Sequence, residues 1–166
     1  MTLSTKIDVD LVAMLSSALD LGSSQFPLNI AARTTLTSGT GVGQADLVFS
    51  DRRTVAASGT DALDLAGSLA SPLGGTLTFV KIKGLLVRAD TGNTNSVRVN
   101  RPAANGAPLF AAAGDAIDVQ PGGTLLWIAP KTGVVVTPAT GDLLNCDNSG
   151  AGTGVTYDIV IIGTSA

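Results

Sequence analysis

Every acidic side chain in this sequence is an aspartate: the 13 carboxylates are all of the short kind, glutamate is absent, and lysine occurs four times. The straight-chain charged residues that favour helices are therefore nearly missing. Threonine, valine, glycine and alanine are plentiful instead, which suits strands and turns. Turn signals recur at short intervals, as Asp90-Thr91-Gly92, Asn105-Gly106, Pro121-Gly122-Gly123, Lys131-Thr132-Gly133, Thr140-Gly141-Asp142 and Ser149-Gly150. Many short strands at that spacing, with nothing resembling a βαβ unit, predict an all-β fold. The expected form is an antiparallel two-sheet sandwich of jelly-roll type.

Individual strands follow from period-two alternation. Ile7, Val9 and Leu11 lie opposite Lys6, Asp8 and Asp10, which predicts a strand over residues 5–12. Leu11, Val12, Leu15, Ala18 and Leu19 also fit a helical stripe that overlaps it. Residues 22–43 read as loops around one or two short strands. Residues 47–49 and 54–57 read as two further short strands. In residues 76–87 Leu77 and Phe79 share one face while Val80 and Ile82 fall on the other, so the phase slips between Phe79 and Val80. Such a slip marks a bulge or a strand passing from one sheet to another. Later strands are expected over 97–100, 116–119, 124–129, 134–137 and 143–146. The last, over 155–162, reads as central, because Val155, Tyr157, Ile159 and Ile161 make one unbroken apolar row.

At 166 residues the chain is about one domain, expected over residues 1–166 with residues 1–5 as an extended arm. Charged residues make up 14%, against about a quarter in an average domain, and mean hydropathy is +0.38. Such a bland surface suits a subunit embedded in an assembly. A net charge of −3, with cations scattered, argues against nucleic acid. No apolar run approaches the roughly 18 residues of a membrane helix. The opening MTLSTKIDVD lacks the features of a secretory signal, which points to synthesis and assembly in the cytoplasm.

With no histidine in the sequence, Ser-His-Asp and Cys-His catalysis and imidazole metal sites drop out. The single cysteine, Cys146, has no partner for an internal disulfide and no nearby cation to activate it. Two glycine-rich stretches, GTGVG at 39–43 and GAGTG at 150–154, lack the spacing of a P-loop or a dinucleotide fingerprint and read as turns or close backbone contacts. Asp90, Asn93 and Asn95, and likewise Asp142, Asp147 and Asn148, carry oxygens that suit calcium, but aspartate and asparagine are also the usual turn residues. The scattered aspartates offer no evident carboxylate pair for glycoside hydrolysis. No enzyme, cofactor or metal is therefore expected. The one adjacent charge triplet, Asp51-Arg52-Arg53, reads as a solvated turn or as a contact between subunits. With Ile7 and Val9 on the apolar side of the first strand, these are the candidate interface residues.

The stretches GTGVGQADLVFSDRRTVAASGTDALDLAG (39–67) and GDLLNCDNSGAGTGVTYDIVIIG (141–163) resemble small virion proteins of tailed bacteriophages. The resemblance covers most of the chain from about Ser16 onward and supplies no catalytic residues. It implies a structural component of the particle, most like a head-decoration (cement) protein. Such a protein sits on the capsid exterior, binds the lattice of major capsid protein at joints between subunits, and associates with itself as a trimer or dimer. In that setting residues 1–5 and 22–43 would be arms that order on a neighbour. The competing expectation is a tail or fibre module that recognises a host-surface glycan, for which 4% aromatic residues is sparse.

Overall fold

The computed structural model describes residues 2–166. Among them it forms fourteen strands and no helix. In chain order these are β1 (Thr5–Leu19), β2 (Gly22–Ser38), β3 (Gln44–Ala45), β4 (Leu47–Val55), β5 (Thr60–Asp64), β6 (Leu69–Ala70), β7 (Thr76–Leu77), β8 (Lys81–Ala89), β9 (Val97–Asn100), β10 (Ala116–Val119), β11 (Thr124–Ile128), β12 (Val134–Val135), β13 (Leu143–Asn148) and β14 (Val155–Thr164). One antiparallel sheet runs β10-β9-β13-β5. A second runs β11-β8-β14-β4, with β12 added beside β8. The inward rows of these two sheets share one hydrophobic core.

β14 shows why that core forms. Val155, Tyr157, Ile159 and Ile161 are fully buried, and the alternate residues face outward. Neighbours on both sides, β4 and β8, satisfy its backbone, so the apolar row predicted from period two is indeed central. Leu85, Val87 and Ala89 of β8 extend the same layer. Val97 and Val99 of β9, Val119 of β10 and Leu144 and Cys146 of β13 close over it from the other sheet. Burial of each large side chain contributes roughly 1.5–3 kcal/mol before entropy is counted.

The phase slip at Phe79 and Val80 corresponds to a change of sheet. β7 pairs only with β6 in a small hairpin, and the chain then breaks before entering the five-stranded sheet as β8. A second irregularity follows. The β8–β14 register shifts between Ile162 and Gly163, leaving Lys83 as the extra residue of a bulge. The bulge lets Ile82 join Leu85 and Val87 in the core and turns Lys83 out of the ladder.

Two readings of the sequence are corrected. Residues 22–43 are not loops around short strands: Gly22–Ser38 is one 17-residue strand, and β1 likewise runs on to Leu19 rather than ending near 12. Residues 47–57 hold one strand and not two, because β4 continues through Asp51-Arg52-Arg53, which is therefore no turn. Of the arm expected over residues 1–5, Met1 lies outside the described residues. Thr5 already opens β1, and the Leu3 N–H lies 3.4 Å from Ser38 Oγ.

Candidate functional site

The feature that dominates the surface is the β1–β2 hairpin. Fifteen residues of β1 pair in unbroken antiparallel register with β2, from Thr5↔Leu36 to Leu19↔Gly22, around the turn Asp20-Leu21. At about 3.4 Å per residue this ribbon is roughly 50 Å long. Among the described residues it pairs with nothing else beyond its root: β3 adds to β2 only at Thr37 and Ser38. Each strand of such a ribbon is an edge strand, which is why Pro27 is tolerated within β2.

Because strand side chains alternate, the register sorts the ribbon into two faces. Ile7, Val9, Leu11, Ala13, Leu15 and Leu19 share one face with Phe26, Leu28, Ile30 and Ala32. On the opposite face Lys6, Asp8, Asp10 and Arg33 cluster near the root, where Asp8 accepts from Lys6 at 2.9 Å and Arg33 at 2.6 Å. Those two donors hold the Asp8 carboxyl below its usual range. From Leu11 to Ala32 the single ionisable residue is Asp20, at the turn. Leu15 is 72% exposed, Phe26 64% and Leu11 51%. The candidate residues Ile7 and Val9 thus sit at the start of a much longer apolar face. Sequence reasoning stopped that face near Leu11, although Phe26-Pro27-Leu28-Asn29-Ile30 repeats the alternation on the far side of the turn.

The ribbon's root is built into the body. Leu36 and Ala45 are fully buried there. Lys83, displaced by its bulge and only 1% exposed, donates to the backbone carbonyls of Gly41 and, at 2.8 Å, Gln44. Burial lowers its pKa. The Gly39–Gly43 stretch therefore wraps a buried ammonium and the Gln44 side chain, whose Oε1 accepts from the Gly41 N–H at 2.9 Å. Lys83→Ala should leave both carbonyls without this donor and cost on the order of 2–3 kcal/mol. The check is urea denaturation together with hydrogen exchange, in which the Thr37 and Gly39 amides should lose protection first.

Ile7 rests at the root against the outer face of the five-stranded sheet, in an apolar hollow with Gly84, Leu86, Leu126, Val160 and Ile162. The other end of that face is ionic. Arg52 reaches Asp90 and Asp158, each at 3.0 Å, and Arg88 also binds Asp158. Arg52 and Ile7 therefore occupy opposite ends of one surface. Arg53, the next residue of β4, points the other way. It spans the gap between the sheets, with Nε on Asp61 Oδ2 and Nη2 on Asp61 Oδ1 at 2.8 Å, while Nη1 reaches Asp51 at 2.9 Å. Tyr157 Oη donates to the same Asp61 at 2.7 Å. Asp51 and Arg53 are thus engaged within the chain. Burial of Asp61 is more than offset by its bonds to Arg53 and Tyr157, so its carboxyl titrates below the usual range. Burial pushes Tyr157 up, and pushes the Cys146 thiol up to about 12, which leaves it an inert core group.

The remaining candidates have structural employment. Asp90 Oδ1 accepts from the Gly92 N–H, Asn93 bridges both backbone groups of Thr156, and Asn95 bonds Asn148. Asp142 accepts from the Ala139 N–H, and Asn100 donates to Asp147. Gly150 packs against the Asn95 side chain in the GAGTG turn. Among the described residues, no three histidine, cysteine, aspartate or glutamate side chains are placed to share a metal ion. Comparison with protein-family models, with curated proteins and with solved structures finds no match to this chain.

Proposed function

We propose that this chain is a non-enzymatic structural protein of a tailed-phage virion, a jelly-roll module that decorates the capsid exterior at joints between major capsid protein subunits. On this reading it self-associates, assembles in the host cytoplasm and requires no cofactor. The observation that carries the proposal is the ribbon: a roughly 50 Å hairpin with a long exposed apolar face, unpartnered beyond its root among the described residues, is a device for assembly rather than for catalysis. Strand order supports the jelly-roll part. With the arm and the short β3, β6, β7 and β12 set aside, eight strands remain in two sheets of four, ordered β4-β14-β8-β11 and β5-β13-β9-β10. The chain crosses between the sheets at nearly every connection, the double Greek-key pattern that recurs in capsid and lectin domains.

Lectin-like recognition of a glycan on a tail or fibre is less well supported. Tyr157 is fully buried and Trp127 packs against the core, so neither aromatic with a polar handle offers an open stacking platform. Cryo-electron microscopy of the virion separates the two. Regular density for this chain over head-lattice joints is the expected result, and density confined to tail or fibres would overturn it.

A further inference from the structure

The ribbon's uncharged face demands a cover. Seven large side chains on it, Val9, Leu11, Leu15, Leu19, Phe26, Leu28 and Ile30, are each between 36% and 72% exposed. At roughly 80–100 Å² for a half-exposed side chain of this size they present on the order of 600–700 Å² of apolar surface. That is at the upper limit for a free monomer, and the strand edges beside it carry no lysine to discourage pairing beyond Lys6. An isolated two-stranded hairpin is also marginally stable in water.

We infer that the cover is a second copy of this chain, seated through the same ribbon face, so that the arm is the homo-oligomer interface. Two such faces together bury on the order of 1,200 Å², the lower bound of a specific protein–protein interface. The face is suited to meeting itself. It carries no charged side chain: Lys6, Asp8, Asp10 and Arg33 lie on the opposite side near the root, where Asp8 pairs with Lys6 and Arg33, and Asp20 lies at the turn. Identical chains therefore meet across this face without placing like charges against each other, whereas the opposite side exposes only Val12 and Met14 as large apolar side chains. Ala13 and Ala32 interrupt the row of large side chains, leaving gaps into which the leucines of a like ribbon fit. The apolar strip continues from Ile7 onto Gly84, Leu86, Leu126, Val160 and Ile162 of the body, which extends the contact at the root. A chain made before it meets any lattice also needs this surface covered in solution. The inference rests on reading the chain as an assembly component, but not on its place in a virion.

The test is the mass of the purified full chain, free of capsid, by light scattering and sedimentation near 20 µM, a concentration well above the Kd of a standard-sized interface. The wild type should run as a dimer or larger. Leu15→Asp with Phe26→Asp, a register pair on the apolar face, should weaken association at least ~100-fold and give monomer. Ser16→Asp with Gln25→Asp, a register pair on the other face, should leave the mass unchanged. Trp127 fluorescence reports whether the body stays folded in each. Should the double aspartate variant fail to fold, a chain lacking residues 12–29, closed by an Asn-Gly turn, takes its place and should be monomeric. A monomeric wild type, which would assign the face to a foreign chain, overturns the inference. So does a variant that keeps the wild-type mass, or equal dissociation by both aspartate pairs. Loss of capsid density with the oligomer intact would sink the virion reading alone.

Discussion

Asp61→Ala is expected to cost about 2–4 kcal/mol, although the residue lies on a short edge strand. Asp61 is the meeting point of a latch between the two sheets. Arg53 grips it with two nitrogens from β4, and Tyr157 donates to it from the fully buried row of β14. Truncating the carboxylate leaves Arg53 Nε and Nη2 without their acceptor, with only Asp51 still on Nη1, and leaves the buried Tyr157 hydroxyl unpaired. That penalty exceeds the worth of an exposed ion pair. Asp61→Asn keeps the shape and separates charge from packing. Because the folded-state pKa of Asp61 is lowered, the wild-type latch contributes its full stability above the unfolded carboxyl value of 3.8. That contribution is lost as pH falls below 3.8 toward the folded value. The stability difference between wild type and Asp61→Asn should therefore be constant from pH 5 to 7 and shrink below pH 4, as measured by urea denaturation across that range. A difference that does not change with pH would mean that charge plays no part in the latch.

Gly163→Ala should be as damaging, for a reason unrelated to charge. Gly163 sits where the β8–β14 register shifts, and a Cβ there would fall on the Lys81 carbonyl oxygen and lie 2.7 Å from Phe79 Cδ1. Neither obstacle is a flexible side-chain end. The Lys81 backbone is fixed in the sheet and Phe79 is packed in the core. Relief requires prising β14 from β8, so a loss of about 3 kcal/mol is expected. Gly22→Ala, at the arm's turn, meets nothing within 4 Å and should be near neutral. Denaturation midpoints of the two variants check the contrast, and equal effects would mean that the bulge has room to adjust.

Both positions illustrate what was legible in the sequence. The faces of β14 and the extents of β9 and β10 follow from alternation, since in a sheet a side chain's direction is set by parity alone. The meaning of Gly163 and Lys83 was not legible, because a bulge is defined by the partner strand. Asp51-Arg52-Arg53 shows the same limit. Three adjacent charges look like a turn until pairing brings up Asp61 from the opposite sheet, Asp90 from just after β8 and Asp158 from β14, the last two from far along the chain. The hairpin pairing of residues 5–19 with 22–38 was missed for a different reason, although a strand over 5–12 and an arm over 22–43 were both expected. The two halves are separately weak, with alanine and serine diluting the pattern, and they gain force only when paired across the turn.

Composition and alternation were enough to set the class of structure. Without glutamate, with four lysines and with turns at short spacing, this chain has little to build a helix from, and period two assigns the core rows directly. Which strands are neighbours, how the eight body strands divide between two sheets, and that residues 5–38 form one ribbon rooted in the body and extending from it emerge only on folding. The physical reason is that parity is local whereas pairing is not. Alternation states which side of a strand must be buried, and only closure of distant segments determines what buries it.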